Sequence, residues 1–190
     1  PIMGSRFVLG FRGEIGLLEA YGDTEVAPFF EHFYSGGISS VRGFKQNTLG
    51  PRAIPSPYFI DNEGNQILDE EGNPIANPYA YYNDDRSIGG AYLVEGGFDL
   101  IFPLPFVEDQ RSMRSSFFID IGNVFSKDCG DTQININCSE LDLGELRYSY
   151  GVGVTWITQL GPMSLALSSP TNQGPLDETE NFQFEIGTQF

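Results

Sequence analysis

A chain of 190 residues is long enough for one domain with a sizeable core and gives no reason to expect two. Its 26 acidic against 10 basic residues leave a formal net charge of −16, which repels phosphate backbones and anionic head groups and argues against nucleic acid as a partner. Aromatic residues make up 14% of the chain, yet no apolar run reaches helix-spanning length, so a membrane crossing would have to be made by strands.

Period-two alternation predicts six strands. The first runs from Arg6 to Ala20, with Phe7, Leu9, Phe11, Ile15 and Leu17 on one face and Val8, Gly10, Arg12 and Glu14 on the other. A split of apolar against small or charged residues suits a strand whose two sides meet lipid and water. A very long connection follows, over residues 23–89. It holds Phe29–Gly37, then Val41-Arg42-Gly43-Phe44, then Asn47–Pro51, and later an echo eight residues apart, Asp61–Ile67 and Asp69–Ile75, with Gly-Asn at each centre. The echo reads as a short hairpin or paired turns in a solvated acidic loop. Gly64 and Gly72 come too early for a calcium loop, so no metal is expected there.

The second strand is Ala91–Phe102, its outward set Tyr92, Val94, Phe98, Leu100 and Phe102, with Glu95, Gly97 and Asp99 opposite beside Leu93 and Ile101. In Ser115–Phe125, Phe117, Ile119 and Ile121 oppose Ser116, Phe118, Asp120 and Gly122. In Arg147–Thr158, Tyr148, Tyr150, Val152, Val154 and Trp156 oppose Ser149, Gly151, Gly153 and Thr155. The last two strands are Met163–Ser169 and Asn181–Phe190. Long connections fall at one end of these strands and short ones at the other, as in outer-membrane barrels with long extracellular loops and not as in sandwiches. Six strands fall short of the minimum of about eight for a closed bacterial barrel, so further strands are expected to precede these or pair with them.

Between the third and fourth strands lie the two cysteines, Cys129 and Cys138, separated by eight residues in a polar Gly/Asp/Asn-rich stretch. The spacing permits a small disulfide-closed loop in an oxidising compartment, and a paired state is expected. A zinc site lacks ligands, since His32 is the lone histidine. Neither a nucleophile motif nor a phosphate-binding glycine loop is present, so the chain is not read as an enzyme and no cofactor is expected. Arg42 lies in a loop that, folded back into a barrel lumen, would need carboxylates for its forked donors, and Asp99 and Asp120 supply them on the inward faces of neighbouring strands.

Several of these segments resemble the Omp85 family of outer-membrane proteins. Val41-Arg42-Gly43-Phe44 in its context resembles the family's loop-six motif, and Ser116–Gly122 resembles the strand motif whose acidic residue, here Asp120, meets the loop-six arginine. Where the family carries Glu as the other partner, this chain has the shorter Asp99. Trp156 followed by Leu160-Gly161-Pro162 is similar to the family's tight turn before the penultimate strand. The ending, with Phe182, Phe184, Ile186, Gly187 and the terminal Phe190, resembles the C-terminal β-signal of outer-membrane proteins and marks the seam strand.

The resemblance implies an all-β fold, an antiparallel up-and-down transmembrane β-barrel portion forming the six C-terminal strands of a barrel of about 16. On this reading residues 1–190 are the C-terminal part of the barrel domain, residues 23–89 are loop six, and the N-terminal strands and periplasmic POTRA domains lie outside the chain. The implied location is the bacterial outer membrane. The implied function is folding and insertion of β-barrel proteins through a lateral seam, with a two-partner secretion or other translocation pore as the alternative. Expected partners are the lipid bilayer, nascent outer-membrane β-barrel proteins and, through the POTRA domains, assembly lipoproteins. A fragment with open strand edges is also expected to dimerise through them.

Overall fold

A computed structural model of the chain describes residues 7–22, 27, 29–53, 58–61, 65–76, 87–104, 112–127, 135–136, 140–158, 161–174 and 176–187. Its strands are β1 (Val8–Leu17), β2 (Arg52–Ala53), β3 (Tyr92–Phe102), β4 (Met113–Phe125), β5 (Asn135–Ile136), β6 (Arg147–Thr158), β7 (Gly161–Thr171) and β8 (Phe182–Ile186). Single 3-10 turns form at Phe29–Glu31 and Leu143–Glu145, the second capped by Asp142, whose carboxylate accepts from Gly144 N–H. The long strands make one antiparallel sheet in the order β1-β3-β4-β6-β7-β8, and β2 pairs with β5 between the loops. Within the six-stranded sheet each strand lies beside the next of that sheet in sequence, the all-β, up-and-down arrangement that alternating short and long connections dictate.

The register sorts residues by solvent. One row across the sheet reads Leu9, Leu100, Phe117, Val152, Leu167, Phe182, and its neighbour reads Phe11, Phe98, Ile119, Tyr150. Phe11 meets Phe98 edge-on with ring centroids 5.1 Å apart, and Phe102 stacks on Phe117 at 4.8 Å. These side chains face outward, Phe11 and Ile15 each 78% exposed, a band that only a hydrocarbon surround would cover. On the inner face the rows read Arg12, Gly97, Asp120, Ser149, Pro170 and Gly10, Asp99, Phe118, Gly151, Ser168. Charged, small and hydroxylated residues predominate in these rows, with Phe118 and Pro170 among them.

Strand ends depart from the sequence reading. β1 stops at Leu17, three residues short of Ala20, and β7 is longer than Met163–Ser169 because β6 pairs with it from Thr158↔Gly161 to Tyr148↔Thr171. Pro162 and Pro170 sit near the two ends of β7, where losing a donor costs little. Among the described residues β8 runs Phe182–Ile186, and Gly187 after it adopts φ 99°, outside the β region. Phe190, and the pair Cys129 and Cys138, lie outside the described residues. The acidic echo folds into paired turns: Asp61 Oδ1 accepts Asn65 N–H and Asp69 Oδ1 accepts Asn73 N–H, both at 2.9 Å. Bridges Ile60↔Gln66 and Leu68↔Pro74 close the two turns.

Candidate functional site

The core of the described structure is where the loop between β1 and β3, here loop six, lies on the inner face of the sheet. Ser35 pairs with Leu49 and Gly37 N–H donates to Phe44 C=O at 3.0 Å, so residues 35–49 close on themselves. Val41, Phe44 and Leu49 form a buried apolar cluster inside that closure. With an apolar body of its own, the loop can present Arg42 from a fixed backbone.

Arg42 reaches two carboxylates. Its Nε donates to Asp120 Oδ2 at 2.6 Å and its Nη2 to Asp120 Oδ1 at 2.8 Å, a two-pronged pair, while Nη1 donates to Asp99 Oδ1 at 3.1 Å. The Arg42 backbone N–H adds a further bond to Asp120 Oδ2 at 3.2 Å. Register explains the reach: Asp99 on β3 lies opposite Phe118 on β4, and Asp120 is two residues further along β4 on the same face. The guanidinium carbon sits 3.6 Å from the centre of the Phe118 ring, so the cation is sandwiched between an aromatic face and two anions. Burial alone would discourage the Arg42 charge, but hydrogen bonds and attraction from Asp120, then Asp99, outweigh it and raise its pKa.

A second arginine completes the site. Arg12 on β1 donates through Nη2 to Asp120 Oδ1 at 2.7 Å and through Nη1 to Ser39 C=O at 3.2 Å, and Nη2 also meets Ser40 C=O. Two guanidiniums thus face two carboxylates, and the fully buried Asp120 accepts on both oxygens, as a low-dielectric site requires. Arg12 reaches across β3 because Gly97 stands between them: a Cβ at Gly97 would lie 2.4 Å from Arg12 Nε and 2.8 Å from Asp120 Oδ1. Ser40 Oγ also donates to Glu95 on β3.

On the other side, loop six joins the end of the chain. Gly43, at φ 93°, packs so close to β7 that a Cβ would meet Ser168 Oγ at 2.9 Å, and its N–H donates to Gln183 Oε1 at 3.0 Å. Lys45 Nζ lies 2.8 Å from Glu178 Oε2 and the buried Arg52 donates to Glu178 Oε1 at 3.3 Å, tying the loop to the β7–β8 connection. That connection is itself held by Arg147 on β6, which donates to the buried Asp177.

Among the residues singled out from sequence, Val41, Arg42, Gly43, Phe44, Asp99 and Asp120 come together at this site, and Phe182, Phe184 and Ile186 line the outer face of β8. Arg12, Glu95, Gln183 and Glu178 were not singled out. Period two placed Arg12 and Glu95 on the inward face, and a lone arginine between glycines there was the signal that it needed an anion.

An antiparallel meander with an apolar outer band, a charged glycine-rich inner face and a long loop folded onto that face defines a segment of an outer-membrane β-barrel. The Omp85 superfamily domain matches residues 1–190, and the chain belongs to the Omp85 superfamily. It is 34% identical over 202 residues to the outer membrane protein assembly factor BamA of Neisseria meningitidis serogroup B, covering 99% of this chain and 22% of that protein. It is 29% identical to the sorting and assembly machinery component 50 homolog of Mus musculus, over 92% of this chain and 32% of that protein. The crystal structure of BamA from Haemophilus ducreyi lacking POTRA domains 1-3 superposes with a TM-score of 0.69 at 27% identity, over 97% of this chain and 32% of that one. The chain therefore spans between about a fifth and a third of the length of these relatives. Family and fold place it in the bacterial outer membrane as a β-barrel.

Proposed function

We propose that this chain is the C-terminal barrel portion of an outer-membrane protein assembly factor, one that folds and inserts other β-barrel proteins into the bacterial outer membrane. The observation that carries the reading is loop six docked by Arg42 between Asp99 and Asp120 and bonded to the start of the last strand, in a chain 34% identical to an assembly factor. In the whole protein, further strands precede β1, and POTRA domains engage the partner lipoproteins. Among the described residues β8 bonds β7 on one side and no strand on the other. An incoming strand adds to such an edge by backbone hydrogen bonds, with Phe182, Phe184 and Ile186 presented to lipid and Gly187 as the bend that lets the edge part. No catalytic step is required, since pairing and burial in lipid drive the reaction.

The test is depletion of the full-length protein in its own organism, followed by quantifying several unrelated barrels in the outer membrane. Broad loss is expected. Normal barrel levels with loss of one secreted protein would instead make it a dedicated translocation pore of the same superfamily.

A further inference from the structure

Loop six and the last strand share one run of hydrogen bonds. Glu180 N–H donates to Gly43 C=O at 2.8 Å and Lys45 N–H to Glu178 C=O at 2.9 Å, an antiparallel bridge centred on Phe44 and Thr179. Two residues further on the chain enters β8, whose ladder from Phe182 onward is with β7. There the side chain of Gln183 takes over. Gly43 N–H donates to its Oε1 at 3.0 Å, and its Nε2 donates to Phe44 C=O at 2.8 Å.

A primary amide carries the donor and acceptor of a peptide group in one plane, so Gln183 bridges loop six as a neighbouring strand would. Gln183 is 4% exposed and Phe44 0%, so these bonds are sheltered from water and costly to break singly. β8 is five residues long, the shortest strand of the sheet, with one strand neighbour in this chain. A strand so short and one-sided gains a large share of its order from any added pair of buried bonds.

We propose that Gln183 couples docking of loop six to ordering of the last strand, so that the two open and close as one element. In the closed state Arg42 sits between its carboxylates and Gln183 holds β8 on the inner face. When loop six lifts, Gly43 and Phe44 leave the amide, and the strand loses its hold. Gln183 is thus a positioning residue that acts through loop six. The inference rests on the assembly reading only in giving the free edge of β8 a use. The experiment below reads coupling and not assembly, so either can fail without the other.

The experiment is hydrogen–deuterium exchange of the full-length protein in lipid nanodiscs, following residues 41–45 and residues 182–186, in the native chain, Gln183→Met, Arg42→Ala and the double variant. Loss of a buried hydrogen-bonded pair is expected to raise exchange by about tenfold, and in each single variant it should do so in both segments. The double variant should exchange no faster than the faster single one, since both open the same element. Loosening of residues 182–186 alone in Gln183→Met, or additive effects in the double variant, would overturn the proposal. Should the variants fail to fold, the native chain decides: one opening rate shared by both segments supports coupling, and two distinct rates remove it.

Discussion

Arg12 on β1 and Arg42 in loop six donate to the same carboxylate oxygen, Asp120 Oδ1, at 2.7 and 2.8 Å. One buried anion therefore joins the barrel wall on one side to the loop on the other, with β3 passed over at Gly97. Asp99 is more peripheral: its side chain is 25% exposed and it accepts one bond from Arg42. The two aspartates should differ in consequence. Asp120→Asn strands two guanidiniums around a neutral amide and is expected to destabilise the folded barrel by about 3–5 kcal/mol, whereas Asp99→Asn should cost about 1 kcal/mol. The midpoint of urea unfolding, followed by the gel shift between folded and unfolded barrel, gives both numbers. Equal losses would mean that Asp120 is not the hub.

Arg42 is held by geometry as well as by charge. Its fork spans both Asp120 oxygens and its plane lies over Phe118, neither of which a lysine reproduces. Arg42→Ala should expose loop six to added protease from the extracellular side, and Arg42→Lys should restore less than half of the protection. Full protection in Arg42→Ala would show that the apolar cluster of Val41, Phe44 and Leu49 holds the loop unaided.

Gly97 is tested by the smallest possible change. In Gly97→Ala the added carbon occupies the path of Arg12 to Asp120, 2.4 Å from Arg12 Nε. The variant should lower stability as Arg12→Ala does, and in a chain already carrying Arg12→Ala most of its cost should vanish. A loss of the same size in both backgrounds would locate the problem in β3 itself.

The tie between loop six and the β7–β8 connection carries a pH signature. The hydrogen bond from Lys45, against a smaller opposing effect of burial and with help from Arg52, holds the Glu178 carboxyl below the usual range, and Glu178 in turn raises Lys45. A lowered carboxylate pKa stabilises the folded form fully above the ordinary value of about 4.3 and loses that stabilisation as pH falls through the lowered one. A raised lysine pKa stabilises below about 10.4 and fades as pH rises through the raised one. Protease protection of loop six should therefore be flat through neutral pH and weaken below about pH 4, the lower limb being absent in Glu178→Gln. Because Glu178 is partly exposed, salt should blunt the effect. A lower limb that persists unchanged in Glu178→Gln would assign it to another carboxylate.

The faces of the strands were legible because lipid and lumen impose opposite demands on alternate residues: Phe117, Ile119 and Ile121 cannot share a side with Asp120. The pairing of Arg42 with Asp99 and Asp120 was approachable too, since a cation in a folded-back loop needs anions on the inner face. The reach of Arg12 was not, because it depends on the stagger among three strands that sets Arg12, Gly97 and Asp120 in one row, and period two says nothing about stagger. Gln183 was hidden for a different reason. Its partners Gly43 and Phe44 lie about 140 residues away, and an amide between two phenylalanines carries no charge to announce a partner. The bend after Ile186 depends on the backbone of Gly187, which takes φ 99° where alternation alone gives no sign of one.

Cys129 and Cys138 fall in the sequence between β4 and β6 and lie outside the described residues. Their spacing of eight intervening residues and the oxidising surroundings of an extracellular loop lead to the expectation that they are joined. A bond closing a loop of about ten residues would stabilise it by about 2–3 kcal/mol, chiefly by limiting the unfolded chain. Alkylation of the unfolded protein without reductant, followed by mass measurement, should leave both thiols unlabelled, and prior reduction should add two labels. Two labels without reductant would show that the loop relies on backbone turns alone, and Cys129→Ser with Cys138→Ser would then leave its protease resistance unchanged.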